Sequence, residues 1–494
     1  MSNAVTALLD DHVAAGDGAR TVIVTPTDRA SYADLLARSC RLGNALRRLG
    51  VEPEQRVAIL LPDGLDWAAA FLGALRIGAI AVPLNTRLTP DRWAAMLADC
   101  RARIVVATDA AARALAPIVT TLPRCRVVTP EVADEAPAEL AAEFLGDEDL
   151  AFWLYTSGTT GPPRAAVHLH GDLLAGRGYG EGVLGITRED RVLSTSKLFF
   201  AYALGNALLN PLVLGTPTYL HPAWAEPATV ADVMTAFAPT VFFSVPTFYA
   251  RLVRADLPAD TFRSLRIAVS AGERLPAEVA TAWHERFGIE ILDGLGATET
   301  IFMVVSNRPG RVKAGSAGVP VPGAEARLLD AAGREVPEGV EGVLHVRAPS
   351  VSPFYWRRPT ESRRAFVGDW FRTGDVCVRE ADGSFRHLGR EDDLFKVAGL
   401  WVAPADIEGA LLGHPGVADV GVIGAPAADG LIKPVAFVVP RAGDVDRLPD
   451  ELRALAERTL SPHARPRDIR LTGELPRTAT GKLQRFLLRE RLDA

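Results

Sequence analysis

Short apolar runs alternate with longer Ala/Leu/Arg-rich stretches from Arg56 onward, and this alternation restricts the fold more than any other feature of the chain. "RVAILLP" (Arg56–Pro62), "AIAVPLN" (Ala79–Asn85) and "ARIVVATD" (Ala102–Asp109) read as buried strands. "DWAAAFLGALRIG" (Asp66–Gly78) reads as a helix that ends at a glycine. Strands recurring with helices between them predict a parallel α/β sheet. The rhythm returns later. Thr229–Val253 predicts helix, strand, turn and helix, and Leu265–Gly288 predicts strand, turn and helix with Pro276 in the first helical turn. Gly288–Thr300 reads as a strand running into a glycine-bearing loop.

From about Gly315 the texture changes to short strands and turn signals, which predicts a small β subdomain with hairpins. A helical stretch near Glu451–Thr459 follows the charged "REDD" at Arg390–Asp393. We place the main boundary there: residues 1–390 bind nucleotide and acid, and residues 391–494 form a second domain. With 494 residues, one core is too few. The net charge of 54 − 60 = −6 gives no reason to expect nucleic acid or an anionic membrane as partner. Cys40, Cys100, Cys125 and Cys377 lie far apart, which argues against zinc and redox motifs and for reduced thiols in the cytoplasm. The first twenty residues lack a basic n-region and do not read as a signal peptide, and no apolar run is long enough to span a bilayer.

Five segments carry chemistry. "TSGTTG" (Thr156–Gly161) offers small residues whose N–H and hydroxyl groups can cradle a polyphosphate, although a surface turn would use the same residues. It is not a Walker loop. "GATET" (Gly296–Thr300) places the Thr298 hydroxyl beside the Glu299 carboxylate, which is either a solvated glutamate at a loop end or the donor type Mg²⁺ takes next to substrate phosphates. "FRTGD" sets Asp375 in a turn, where it is either an ordinary turn residue or a partner for a ribose diol. "GREDD" contains Arg390 and Asp392. "TGK" puts Lys482 in a polar stretch near the end of the chain, where it can stay solvated or reach into a site. Only five of the 54 basic residues are lysines, and Lys396 and Lys482 are two of them.

The ordered series TSGTTG, GATE, RTGD, GRxDD and TGK resembles the adenylate-forming superfamily of acyl-CoA synthetases, adenylation domains and luciferases, over essentially the whole chain. The resemblance implies a fold with a large N-terminal domain of α/β subdomains plus a small β subdomain, followed by a small mobile α+β C-terminal domain. It implies a two-step reaction: a carboxylate attacks the α-phosphate of Mg·ATP, and a thiol then displaces AMP. It implies that Thr156, Ser157, Gly158, Thr159, Thr160 and Gly161 grip the β- and γ-phosphates, with Arg164 where the family has lysine. Thr298 would meet the α-phosphate, Glu299 would bind Mg²⁺, and Asp375 would bind the ribose with Arg390 nearby. Gly272, Glu273, Arg274, Asp293, Gly294, Leu295 and Gly296 would line the adenine and acyl pockets. Lys482 would bridge carboxylate and α-phosphate. Asp392 matches the hinge. Lys396, Gly399, Leu400 and Trp401 would face the thiol.

"STSKLFFAYALGNALLNPL" (Ser194–Leu212) and the residues after GATET are similar to the benzoate-CoA ligase branch. That similarity implies an aryl pocket walled by Phe200, Ala201, Tyr202, Phe243 and Phe302. Phe302 stands where that branch carries histidine, which implies an aryl or arylalkenyl acid other than plain benzoate. The thiol is that of coenzyme A or, alternatively, the phosphopantetheine of a carrier protein. The expected assembly is a monomer or homodimer.

Overall fold

The computed structural model describes residues 3–122, 124–156, 163–397, 400–427, 430–441, 445–477 and 483–492, with Leu400 and Trp401 described in their backbone alone. Its contacts divide the chain into two compact units. Among the described residues the first comprises those up to 326 together with 346–372, and the second comprises 327–345 and those from 373 onward.

The predicted alternation builds two sheets in the first unit. One has six strands in the order Arg126–Val128, Ile104–Ala107, Arg56–Leu60, Ile80–Pro83, Leu150–Thr156 and Arg164–Leu169, all parallel except the last. The other has nine strands. Its centre is a parallel run of Ile291–Gly296, Ile267–Ser270, Val241–Ser244 and Val192–Ser194, and the antiparallel Met303–Ser306 is added beyond Ile291–Gly296. The strands are apolar throughout because helices cover both faces of such a sheet. Helix Leu65–Arg76 buries nearly its whole circumference. Helix Tyr32–Arg48 crosses it where Gly43 faces Gly73; a Cβ on Gly73 would come within 2.7 Å of the Ser39 carbonyl oxygen. Arg76, at the end of the buried helix, is neutralised by a bidentate pair with Asp10 at 2.7 and 2.8 Å.

Two local expectations change. Pro276 precedes helix Ala277–Phe287 as its N-cap, with ψ 137°, instead of sitting in its first turn. The glycines of "DGLG" lie inside strand Ile291–Gly296, and the turn begins only at the short 3₁₀ segment Thr298–Thr300.

In the second unit, strands Val417–Pro426 and Ile432–Pro440 form an antiparallel hairpin, and Asp468–Leu471 joins it in parallel. Helices Pro404–Leu412 and Leu448–Thr459 pack on this sheet around Ile407, Leu411, Leu448 and Leu452. Glu408 and Arg485 form a bidentate pair at 2.6 and 2.8 Å.

Candidate active site

Strands Leu150–Thr156 and Arg164–Leu169 are antiparallel neighbours, with Thr156 opposite Arg164. Ser157, Gly158, Thr159, Thr160 and Gly161 lie outside the described residues, as do Gly399 and Lys482. Ala165 sits in the strand and does not have a positive φ.

Glu299 lies in the 3₁₀ turn after strand Ile291–Gly296 and is 8% exposed. The Tyr355 hydroxyl donates to its Oε1 at 2.6 Å. Ser352 N–H donates to the Glu299 carbonyl at 2.7 Å, and the Ser350 hydroxyl donates to that of Thr300 at 2.6 Å. Thr298 is held from the opposite side: its carbonyl oxygen lies 2.9 Å from His168 Nε2. His168 Nδ1 is 3.0 Å from Asp172 Oδ2, which also accepts from Leu169 N–H. Histidine and aspartate are both buried, and Phe152 stacks on the imidazole at 5.0 Å. A carbonyl oxygen can only accept, so Nε2 carries a proton.

Ile301 joins this carboxylate to the aromatic wall through a strained bend. Its φ of 57° and ψ of −55° with Phe302 N–H 2.5 Å from the Thr300 carbonyl describe a γ-turn of the rare hand, on a β-branched residue. Such strain persists only where the surroundings impose it. Phe302, 3% exposed, rests on two glycines: a Cβ on Gly176 would lie 2.3 Å from its ring and one on Gly205 2.9 Å. Gly205 follows directly on the Phe200–Leu204 segment, so both predicted walls meet at Phe302. Tyr202 meets Phe243 edge to face at 6.0 Å, and its hydroxyl lies 3.2 and 3.1 Å from the Ser244 and Val269 carbonyls. Ala201 shares a core cluster with Phe302, whereas Phe200 packs on Phe199 at 4.5 Å. Tyr202 lies within a helical turn, Ala201–Ala203, that runs into a π-helix, Leu204–Leu209, and the amide of Asn206 donates back to the Tyr202 carbonyl.

Gly272, with φ 91°, Glu273 and Arg274 form the turn after strand Ile267–Ser270. Gly294, Leu295 and Gly296 pair with Ser306, Val305 and Met303. Asp293 begins this stretch with its Oδ1 sealed from water and without a hydrogen-bond partner among the described residues. Burial pushes its carboxyl up to about 8, against the pull of Gly294 and Leu275 N–H, Ser270 and Arg274.

In the second unit Asp375 pairs with Arg390 across an antiparallel ladder. Burial pushes the Asp375 carboxyl up, but Arg390 at 3.3 Å and His387 Nε2 at 3.2 Å outweigh it and hold it well below the usual carboxylate range. Gly374, with φ 76°, permits this: a Cβ there would stand 3.1 Å from Arg390 Nη2. The exposed Asp392 accepts at its carbonyl from Arg489 at 3.2 Å. The exposed Lys396 sits in strand Phe395–Val397 opposite Trp401 of Leu400–Val402.

His168, Asp172, Tyr355 and His387 were missed by the sequence reading. His168 lies within the same segment as the phosphate motif and is flagged by its position; Tyr355 carries no local signal at all.

Residues 10–356 match the family model of the AMP-binding enzymes, and residues 406–482 match that of the AMP-binding enzyme C-terminal domain. The benzoate–CoA ligase of Thauera aromatica is 39% identical over 505 residues, which cover 99% of this chain and 95% of that protein. The crystal structure of a benzoate CoA ligase from Burkholderia xenovorans LB400 superposes with a TM-score of 0.91 at 37% identity, covering 99% of this chain and all of that one. That of the anthranilate CoA ligase AuaEII in complex with anthranoyl-AMP gives 0.93 at 35% identity, covering 99% and 97%. Among the described residues no helix is long and apolar enough to cross a membrane. With matches that run the length of the polypeptide, this chain belongs to the AMP-binding enzyme family of adenylate-forming ligases.

Proposed function

We propose that the protein is an AMP-forming aryl-CoA ligase of the cytoplasm. A carboxylate oxygen of an aromatic acid attacks the α-phosphorus of ATP, the Pα–O bond to the β-phosphate breaks, and pyrophosphate leaves. The thiol sulfur of coenzyme A then attacks the acyl carbon, the acyl–O bond breaks, AMP leaves, and the thiol proton passes to solvent. The observation that carries this reading is the three-residue spacing of Glu299 and Phe302 across the strained Ile301 turn. It puts a carboxylate suited to the nucleotide's cation next to an aromatic wall suited to the acid.

Glu299 fits Mg²⁺. Its Oε1 is occupied by the Tyr355 hydroxyl, and among the described residues no hydrogen bond reaches Oε2. One protein carboxylate, with phosphate oxygens and water completing the shell, is the usual magnesium environment. When bound, the ion would neutralise charge on the phosphates. In this reading the Thr156–Gly161 segment and Arg164 hold the β- and γ-phosphates, Thr298 orients the α-phosphate, and Asp375 with Arg390 receives the ribose. Gly272, Glu273, Arg274 and Asp293–Gly296 line the nucleotide and acid sites. Lys482 neutralises the charge that develops between acid and α-phosphate. The boundary near Arg390, with Asp392 as hinge, lets residues 391–494 withdraw Lys482 and present Lys396, Gly399, Leu400 and Trp401 to the thiol.

ATP–pyrophosphate exchange over a panel of aromatic and alkyl acids tests the first step, and mass spectrometry with coenzyme A or a phosphopantetheinylated carrier protein tests the second. The expected result is exchange with aromatic acids and an aryl-CoA product. If no acid drives exchange, the reading fails; acylation of the carrier alone replaces coenzyme A as acceptor.

A further inference from the structure

Tyr355 meets both charged ends of the proposed phosphate site. Its hydroxyl donates to Glu299 Oε1, while the guanidinium of Arg164, the residue that begins the strand after the phosphate segment, lies over the face of its ring, 5.2 Å from the centroid. We propose that Tyr355 is a positioning residue that keeps Glu299 available to the nucleotide's cation and keeps Arg164 from pairing with it. This inference rests on the function proposed above.

Three observations carry it. First, the contact is a short, buried O–H···O⁻ bond between side chains 4% and 8% exposed, the charge-assisted type that fixes a rotamer. By occupying Oε1 it leaves Oε2 as the oxygen that can meet a metal. Second, Tyr355 is itself held tightly. Its N–H donates to Ser362 Oγ at 3.0 Å, its ring packs on Phe366 at 5.0 Å, and its backbone bridges to Ala166, with Trp356 N–H donating to the Ala165 carbonyl at 2.9 Å. The phenol therefore transmits the position of the Arg164–Leu169 strand to a carboxylate 56 residues away in sequence. Third, Arg164 and Glu299 occupy different parts of one phenol, ring face and hydroxyl. A guanidinium and a carboxylate in direct contact form a bidentate pair, and that pair would consume the oxygen the metal needs. Holding the guanidinium on a ring face by cation–π attraction keeps its charge near the phosphates and off Glu299.

The test is Mn²⁺ binding to the full-length protein with α,β-methylene ATP, followed by electron paramagnetic resonance, beside the Mg²⁺ dependence of pyrophosphate exchange. Tyr355→Phe removes only the hydroxyl. It is expected to weaken Mn²⁺ at least 10-fold, as loss of a partner to a metal ligand commonly does. The Mg²⁺ requirement should rise in parallel, with KM for the acid unchanged. Tyr355→Leu, which also removes the ring face, should weaken Mn²⁺ further, and adding Arg164→Gln to it should recover part of the affinity, because the competing cation is gone. Should Tyr355→Phe fail to fold, Tyr355→His, which retains a ring and an N–H donor, takes its place and should bind Mn²⁺ within threefold of wild type. Mn²⁺ affinity unchanged in folded Tyr355→Phe, or a 10-fold loss in folded Tyr355→His, overturns the proposal. Wild-type protein that binds Mn²⁺ with the nucleotide but exchanges pyrophosphate with no acid would remove the proposed function while leaving this role of Tyr355 open to the same variants.

Discussion

Asp293 and Asp375 are the same residue in similar shielding, treated in opposite ways. Around Asp293 lie tyrosines and an apolar sheet; burial outweighs the pull of Arg274 and of the neighbouring N–H groups, and its carboxyl rises to about 8. Around Asp375 stand a guanidinium and an imidazole, and their attraction exceeds the burial cost. Burial alone therefore does not determine what an acidic side chain does; the counter-charge brought by another element does. A carboxyl held neutral can donate a proton in a hydrogen bond, and one held ionised can only accept, as a ribose diol requires.

The sharpest break in this contrast is His168→Ala. It empties the volume of a buried ring, takes from Asp172 its side-chain partner and frees the Thr298 carbonyl, at a cost of about 3–5 kcal/mol. Urea denaturation should show the loss, and adenylation should fall with it; an unchanged midpoint would mean that the imidazole does not hold Asp172 and the Thr298 turn together. Asp375→Asn should cost about 2 kcal/mol at pH 7, less than a sealed pair because Arg390 is a third exposed. The lowered folded-state value sets the sign: the Asp375 contribution is complete above pH ~4 and fades as pH falls through that value, so wild type and variant should converge in acid. The nucleotide KM should rise as well.

Asp293→Asn should act in the reverse direction. A carboxyl raised in the folded state stabilises fully below its unfolded value near 4 and loses that contribution as pH rises to about 8. The variant should therefore gain on wild type across that interval, by about 1–2 kcal/mol above pH 8, read from thermal melts at several pH values. A pH-independent difference would show that Asp293 ionises normally. The smallest effect belongs to Gly374→Ala, about 1 kcal/mol from the left-handed backbone alone. It should also push the Arg390 guanidinium off Asp375 and make the aspartate easier to protonate, which carboxyl NMR titration can follow.

Much of this was legible in the chain. Apolar runs of strand length separated by helical ones implied the parallel sheets, because a strand covered on both faces must be apolar throughout. The local motifs put Thr298, Glu299 and Phe302 within five residues, so their juxtaposition needed no tertiary information. The Tyr355–Glu299 bond spans 56 residues and the His168–Thr298 bond 130, and neither partner shows by residue type that the other awaits it. The strain at Ile301 was likewise hidden, since a β-branched residue gives no local reason for a positive φ.

The sequence by itself determined which chemical groups the protein owns and in what order: hydroxyls and glycines in one segment, a carboxylate beside an aromatic wall, an aspartate after Thr373-Gly374. Short spacings settle these things because neighbours on a chain cannot move far apart. Tertiary structure alone decided which of those groups are charged, which are held, and by what. Desolvation and counter-charge come from elements distant in sequence, and their balance exists only once the chain is packed.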